Sequence, residues 1–144
     1  MIISFSYSQC DTGEVELWDD CYPIETTTIV QNSDNTSGEI PEDICELINL
    51  EILDLDVMFG GTNQVTGQIP DCIGNLSNLT YLNLGWNELY GEIPESIGNL
   101  VNLTFFNVLS NNLSGEIPES IGNLVDLTYL NLGFNAFFGS IPES

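Results

Sequence analysis

Leucines and isoleucines recur along this chain in a fixed order. The stretch Leu79–Leu100 reads LTYLNLGWNELYGEIPESIGNL, and nearly the same text returns at Leu103 and begins once more at Leu127. Near its start, Leu82 and Leu84 alternate with residues of other types, which predicts a short strand with one buried face. The repetition predicts one such strand in every sequence repeat.

The glycine of each G-x-I-P box marks the length of the repeat. These glycines are Gly38, Gly67, Gly91, Gly115 and Gly139. The last three intervals are 24 residues each and the first is 29. A fixed period in this range predicts a solenoid, whose turns bury their apolar faces against one another. Asn87 is expected to bind backbone groups at a turn inside this coil.

Two turns spell the box L-x-x-L-x-L-x-x-N-x-L-x-G-x-I-P-x-x-I-G-x-L. The first matches at Leu79, Leu82, Leu84, Asn87, Leu89, Gly91, Ile93, Pro94, Ile97, Gly98 and Leu100. The second matches at Leu103, Phe106, Val108, Asn111, Leu113, Gly115, Ile117, Pro118, Ile121, Gly122 and Leu124. This box resembles the repeat of the plant-type leucine-rich repeat family, and the likeness covers roughly residues 38–144. Members of the family are receptor ectodomains, polygalacturonase-inhibitor-like proteins and secreted bacterial or algal repeat proteins.

The resemblance implies an α/β-type repeat solenoid. In that family the coil is right-handed, a parallel β-sheet lines its concave side, and short 3₁₀ or irregular segments form its convex side. The resemblance also implies recognition rather than catalysis.

The domain organisation follows from where the repeat frame holds. Residues 1–23 precede the repeats and are expected to form a cap, and residues 24–144 contain about five repeats. Five extra residues are inserted near 57–61, just after a predicted strand. The text stops within a G-x-I-P box, so we expect no C-terminal cap.

Four cysteines favour disulfides and an oxidising, extracellular or cell-surface location. A Cys10–Cys21 bridge would close a small loop and lay Trp18 on the open edge of the first turn. Cys45 and Cys72 lie on the outer side of consecutive turns. Of the three pairings that four cysteines allow, we favour Cys10–Cys21 with Cys45–Cys72.

The period places equivalent residues side by side on neighbouring concave strands. The candidates for ligand binding are the aromatic column Tyr81, Phe105 and Tyr129, the asparagine row Asn83, Asn107 and Asn131, and the rim residues Trp86 and Phe134. Exposed apolar area of this kind marks an interaction site. Stacked aromatics and asparagine rows would also stabilise the sheet itself, so both interpretations stay open.

Two further apolar groups are candidate contacts. Met58 and Phe59 would form the tip of the inserted loop, where they either meet a partner or fold back on the cap. Phe137, Phe138 and Ile141 would lie near the open end of the last turn, which makes them a candidate assembly edge.

The chain carries 22 acidic residues and no Lys, Arg or His, for a formal charge of −22. Nucleic acid is therefore excluded as a partner, since nothing can neutralise its phosphates. Cationic partners are favoured, and the alternative is adaptation to a saline medium. Two rows of carboxylates, one through Glu92 and Glu116 and one through Glu95 and Glu119, would attract Ca²⁺, although a solvated surface is the better interpretation.

Catalytic chemistry finds little support. Without His or Lys there is no ordinary general base, and no zinc motif, metal site or phosphate loop is present. We expect no enzyme activity, no cofactor beyond the Ca²⁺ just named, and no membrane span. Five N-x-S/T sequons, at Asn35, Asn75, Asn78, Asn102 and Asn112, are candidate glycosylation sites.

The sequence therefore predicts an extracellular recognition module that binds a protein, a peptide or a neutral glycan through its concave face. One alternative is a structural protein whose open last turn docks on further copies of the chain, head to tail, to build a filament or surface layer. A weaker alternative is a binder of ice or of another regular surface.

Overall fold

The computed structural model describes residues 10–31, 36–56 and 64–142. Its strands are β1 Glu14–Leu17, β2 Asp20–Pro23, β3 Thr28–Val30, β4 Ser37–Glu39, β5 Ile52–Asp54, β6 Gln64–Gly67, β7 Tyr81–Asn83, β8 Glu88–Gly91, β9 Phe105–Asn107, β10 Asn112–Glu116, β11 Tyr129–Asn131 and β12 Ala136–Phe138. Four 3₁₀ helices connect them within these ranges: η1 Glu42–Glu46, η2 Asp71–Asn75, η3 Glu95–Asn99 and η4 Glu119–Asn123. The inserted residues near 57–61, with Met58 and Phe59, and the sequon at Asn35 lie outside the described residues.

The concave sheet is parallel and runs in the order β11-β9-β7-β5-β3. Tyr81 pairs with Phe105, and Phe105 pairs with Tyr129, so the register advances by one full repeat per strand. Ile52 pairs with Tyr81 across the longer interval, which shows that the inserted residues leave the register unchanged. The parallel sheet and the short 3₁₀ helices confirm the solenoid fold that the repeats predicted.

A second parallel sheet runs in the order β12-β10-β8-β6-β4. Gly67 pairs with Leu89 and Gly115 with Phe137. The sequence separation of these pairs is two residues less than the 24-residue repeat. This sheet was not predicted, because its short strands carry little apolar alternation. Stacking of one turn on the next aligns their backbones and creates the pairing.

The core is a stack of leucines and isoleucines, one set per turn. In one turn, the buried apolar side chains are Leu79, Leu82, Leu84, Leu89, Ile93, Ile97 and Leu100, each at most 3% exposed. The next turn supplies Phe106 and Val108 at the frame positions of Leu82 and Leu84, and both are fully buried. Because a turn packs only on its neighbours, the stability of the coil depends on each of these contacts.

Asn87 binds backbone groups inside the coil, as predicted. Its Nδ2 donates to the carbonyl oxygens of Leu55 at 2.9 Å and Gly85 at 2.9 Å, and its Oδ1 accepts from the backbone N–H of Val65 at 3.1 Å. Asn111 repeats this pattern one turn later. A buried asparagine whose amide group is fully hydrogen-bonded stabilises the fold, whereas an apolar side chain would leave these backbone groups without hydrogen bonds.

The N-terminal hairpin of β1 and β2 covers the first turn. Val15 and Leu17 are buried, and a disulfide joins Cys10 to Cys21 with a Cα–Cα distance of 5.4 Å. The indole Nε1 of Trp18 donates to the carbonyl oxygen of Glu39 at 3.1 Å, which ties the hairpin to β4. Trp18 therefore has the packing role expected of it.

The convex helices approach each other through small residues. A Cβ on Gly74 would lie 2.4 Å from the backbone oxygen of Ser96, so no side chain fits at that position. At the equivalent position of η1 stands Cys45, which forms a disulfide with Cys72 of η2 at a Cα–Cα distance of 5.9 Å. The bridge thus occupies the contact that glycine and serine make in later turns.

Candidate ligand-binding surface

The aromatic column of the concave sheet is a continuous stack of rings. The ring centroids of Tyr81 and Phe105 lie 4.2 Å apart with an interplanar angle of 11°, and those of Phe105 and Tyr129 lie 4.4 Å apart at 3°. Tyr81 and Phe105 are half-buried, and Tyr129 is 43% exposed. The stack supports the sheet and also presents a flat apolar strip to solvent, because each ring keeps an accessible edge.

The asparagine row lies beside this column but is mostly engaged within the protein. Asn83 and Asn107 are each 6% exposed, and Asn107 Nδ2 donates to Asn83 Oδ1 at 2.8 Å. Each Oδ1 also accepts from a backbone N–H two residues onward, Gly85 for Asn83 and Leu109 for Asn107. These contacts favour the sheet-stabilising interpretation for the two buried asparagines. Asn131, on β11 at the end of the concave sheet, is more accessible.

A pair of carboxylates closes the row at its N-terminal side. Asp54 stands in register with Asn83, and its Oδ1 accepts from the backbone N–H of Asp56 at 3.2 Å. Asp56 Oδ2 accepts from Asn83 Nδ2 at 3.1 Å. Burial raises the pKa of Asp54, and burial together with the nearby charge of Asp54 raises the pKa of Tyr81. This end of the surface therefore favours a positive group, and the sequence has no Lys, Arg or His side chain to supply one.

The rim residues adopt a left-handed backbone conformation. Trp86, Ser110 and Phe134 have φ values of 55°, 56° and 52°. For a non-glycine residue this conformation costs roughly 1–2 kcal/mol. Trp86 and Phe134 are nevertheless 45% and 85% exposed, so core packing does not account for large side chains at these positions. Strained, exposed aromatic residues at the edge of a concave face are candidate contacts for a ligand.

The structure separates other predicted residues from this surface. Phe137 and Phe138 belong to β12, which lies in the second sheet, and Phe138 and Ile141 are 62% and 75% exposed. The four described sequon asparagines are all exposed: Asn75, Asn78, Asn102 and Asn112. The amides of Asn78 and Asn102 also donate to the carbonyl oxygens of Ile48 and Ser77. Asp54 and Asp56 were not among the predicted site residues, although the sequence shows Asp54 at an asparagine position of the frame and Asp56 at a glycine position.

Comparison with known proteins identifies the repeats. The model of the Leucine Rich Repeat family matches residues 78–100 and 102–124. Over 60 residues, 41% of its length, the chain is 43% identical to Receptor-like protein 32 of Arabidopsis thaliana and spans 6% of that protein. The two matched turns are leucine-rich repeats, and they are similar to those of plant proteins.

Several solved structures similar to this chain are plant receptor ectodomains. It is 40% identical to a chain in the PEPR1–AtPEP1 crystal structure, with a TM-score of 0.74 over 81% of its length and 16% of that chain. It is 37% identical to a chain in the structure of the Arabidopsis receptor kinase HAESA with the peptide hormone IDA and the co-receptor SERK1, with a TM-score of 0.72 over 82% of its length and 19% of that chain. A plant ice-binding protein is 31% identical, with a TM-score of 0.71 over 81% of this chain and 36% of the other.

The described residues of the repeat protein contain no helix that is both long and apolar enough to cross a membrane. The chain covers only a small part of each receptor structure named above.

Proposed function

We propose that this chain is an extracellular or cell-surface recognition module that binds a peptide, or an extended segment of a protein, on its concave face. The observation that carries the proposal is the stack formed by Tyr81, Phe105 and Tyr129, which offers a flat apolar strip across three turns. The two disulfides and the similarity to receptor ectodomains support the location. The similarity to receptor structures that contain peptide hormones supports the class of ligand. We propose recognition without catalysis.

The chemistry of the surface indicates what such a peptide should contain. Apolar or proline side chains would pack on the aromatic column, because aromatic rings are stabilised most by contacts that exclude water. A lysine, an arginine or a free amino terminus would lie at the Asp54 and Asp56 end, where the local charge is negative. Trp86 and Phe134 would cover the peptide from the rim.

This chemistry favours a peptide over the other partners that the sequence left open. A glycan needs accessible amides, and those of Asn83 and Asn107 are buried and hydrogen-bonded. One of the similar solved structures is a plant ice-binding protein. However, the regular row of Thr80, Thr104 and Thr128 directs each hydroxyl to a carbonyl oxygen of the preceding turn. Assembly into filaments remains a prediction without specific support.

Peptide selection tests the proposal. Peptides that bind the purified protein are selected from a displayed library of random 12-residue peptides. The affinities of the selected peptides are measured by isothermal titration calorimetry. The triple change Tyr81→Ser, Phe105→Ser and Tyr129→Ser should weaken binding by about 100-fold, since each aromatic contact contributes on the order of 1 kcal/mol.

Tyr90→Ser, which removes an exposed tyrosine of the second sheet, is the matched control and should leave the affinity within about twofold. Circular dichroism checks that the triple variant is folded. Unchanged binding by a folded triple variant, or an equal loss in the control, would refute concave-face recognition.

A further inference from the structure

The second sheet forms one wall of an open groove that the concave-face proposal does not use. The groove encloses about 1230 Å³ and lies along the G-x-I-P boxes of successive turns. Six carboxylates line it: Glu39, Glu42, Asp71, Glu92, Glu95 and Glu116. They belong to two rows, one after the glycine of each box and one at the first residue of each 3₁₀ helix.

Glycines of the next turn leave the space that holds the first row. Gly67 and Gly115 have φ values of +82° and +89°, a conformation that L side chains rarely adopt. A Cβ on Gly67 would lie 2.8 Å from Glu39 Cγ, and a Cβ on Gly115 would lie 2.7 Å from Glu92 Cγ. The glutamate stems therefore pack over the next turn, and their carboxylates form a row along the groove in which Gln68 takes one position.

Apolar surface lies beside these acids. Tyr90 and Phe138 line the groove and are 49% and 62% exposed, although both are large enough to contribute to a core. Pro70, Pro94 and Pro118 add rigid apolar surface next to them. Exposed aromatic residues flanked by charge are typical of protein interfaces.

We propose that this groove binds a partner segment rich in lysine and arginine, with apolar side chains between the basic ones. The charge complementarity is complete, because the chain has no Lys, Arg or His with which to neutralise the groove from within. Lysine and arginine stems cover apolar surface while their charged heads reach carboxylates, which matches rows of acids beside Tyr90 and Phe138. The basic residues of the partner would follow the turns, which are spaced by roughly 4.8 Å.

A divalent cation fits this arrangement less well. Ca²⁺ takes six to eight oxygen ligands that converge on one point. The carboxylates of the groove are instead distributed along the turns, and the exposed aromatic rings would have no role in holding an ion. The groove is thus a docking surface for a cationic chain, and none of the three stacked rings of the concave sheet lines it.

The test uses the full chain and a fluorescein-labelled peptide, (Lys-Phe)₄, with (Glu-Phe)₄ as the reversed-charge probe. The groove variant carries Glu39→Gln, Glu92→Gln and Glu116→Gln; Gln68 already occupies this frame position, so glutamine is expected to be tolerated. The control variant removes the same number of charges outside the groove, by Glu25→Gln, Glu46→Gln and Asp126→Asn. Fluorescence anisotropy is measured in 150 mM NaCl.

We expect (Lys-Phe)₄ to bind with one-to-one stoichiometry and (Glu-Phe)₄ not to bind. The groove variant should lose about tenfold in affinity, and the control variant less than about threefold. An equal loss in both variants would overturn the proposal, because it would show attraction to the net charge alone. Ca²⁺ binding that depends on the three groove glutamates, without peptide binding, would overturn it in favour of an ion site.

Aromatic substitutions separate this inference from the concave-face proposal. Tyr90→Ser should weaken (Lys-Phe)₄ binding by about threefold or more, and Tyr81→Ser should leave it unchanged. If instead Tyr81→Ser weakens binding and Tyr90→Ser does not, the cationic peptide occupies the concave face and the groove assignment is wrong. Failure of the groove test leaves the selected concave-face peptides, and their own variants, unaffected.

Discussion

At the scale of single residues, the third position ends four of the five concave strands, β5, β7, β9 and β11, in the same way. Asn83, Asn107 and Asn131 each accept a hydrogen bond from the backbone N–H two residues onward. Asp54 makes the same contact with Asp56, but as a half-buried carboxylate it carries a charge that the asparagines lack. Burying the charge of Asp54 therefore lowers the stability of the fold at neutral pH. A functional role for this charge would explain why an aspartate stands here in place of an asparagine.

Asp54→Asn tests that interpretation. Burial raises the folded-state pKa of Asp54 above its ordinary value of 3.8, so the folded state takes up a proton more readily than the unfolded chain. The contribution of Asp54 to stability is therefore least favourable above the folded pKa and improves as the pH falls through it. We expect Asp54→Asn to raise the melting temperature at pH 7, and we expect that gain to shrink towards pH 4.

Thermal unfolding followed by circular dichroism measures this effect. Asp126→Asn, which removes an exposed charge, corrects for relief of the overall repulsion. The interpretation fails if both variants gain equally at pH 7 or if the gain is independent of pH.

At the scale of elements, the convex side is held by close contact between 3₁₀ helices. Gly98 of η3 faces Ser120 of η4, as Gly74 faces Ser96 one turn earlier. The side-chain oxygens of Ser96 and Ser120 are buried without a hydrogen-bond partner in the described structure. Backbone proximity, rather than the serine hydroxyl, is therefore what this contact contributes. Cys45 and Cys72 replace it by a covalent bond beside the turn that contains the insertion.

A matched pair of alanine substitutions tests the importance of the glycine. A Cβ at residue 98 would lie 2.5 Å from the backbone oxygen of Ser120, so Gly98→Ala should lower the free energy of unfolding by about 1–3 kcal/mol. Ser120→Ala removes only the unpaired hydroxyl and should be neutral or slightly stabilising. Urea unfolding measures both. A neutral Gly98→Ala would show that the helices can separate without loss.

Some strands and contacts of the fold could be predicted from the sequence, and others could not. The leucine frame predicted which residues of β7, β9 and β11 pair, because a 24-residue period fixes the register of a parallel sheet. It also predicted the contacts of Asn87 and the position of Trp18. The second sheet was missed, since its strands become strands only when neighbouring turns stack. The burial of Asn83 and the left-handed backbone of Trp86 likewise depend on neighbouring turns.

At the scale of the whole molecule, one coil presents two surfaces of different chemistry. The concave sheet is aromatic and largely neutral apart from Asp54 and Asp56, and the second sheet borders an acidic groove. Because all charged side chains are acidic and the formal charge is −22, every long-range interaction between charged side chains is repulsive. The apolar core of the turns must therefore hold the coil against this repulsion. A segment with many basic residues in the groove would lower this repulsion more than a concave-face peptide with a single positive group.

The most direct test of concave-face recognition is to map where a library-selected peptide contacts the protein. Amide chemical shifts of the isotope-labelled chain are recorded as the peptide is titrated. We predict that the perturbed amides cluster at residues 81–86, 105–110 and 129–134, on three neighbouring turns. Perturbations confined to residues 37–39, 64–67 and 88–91 of the second sheet, or to the convex helices, would contradict the account.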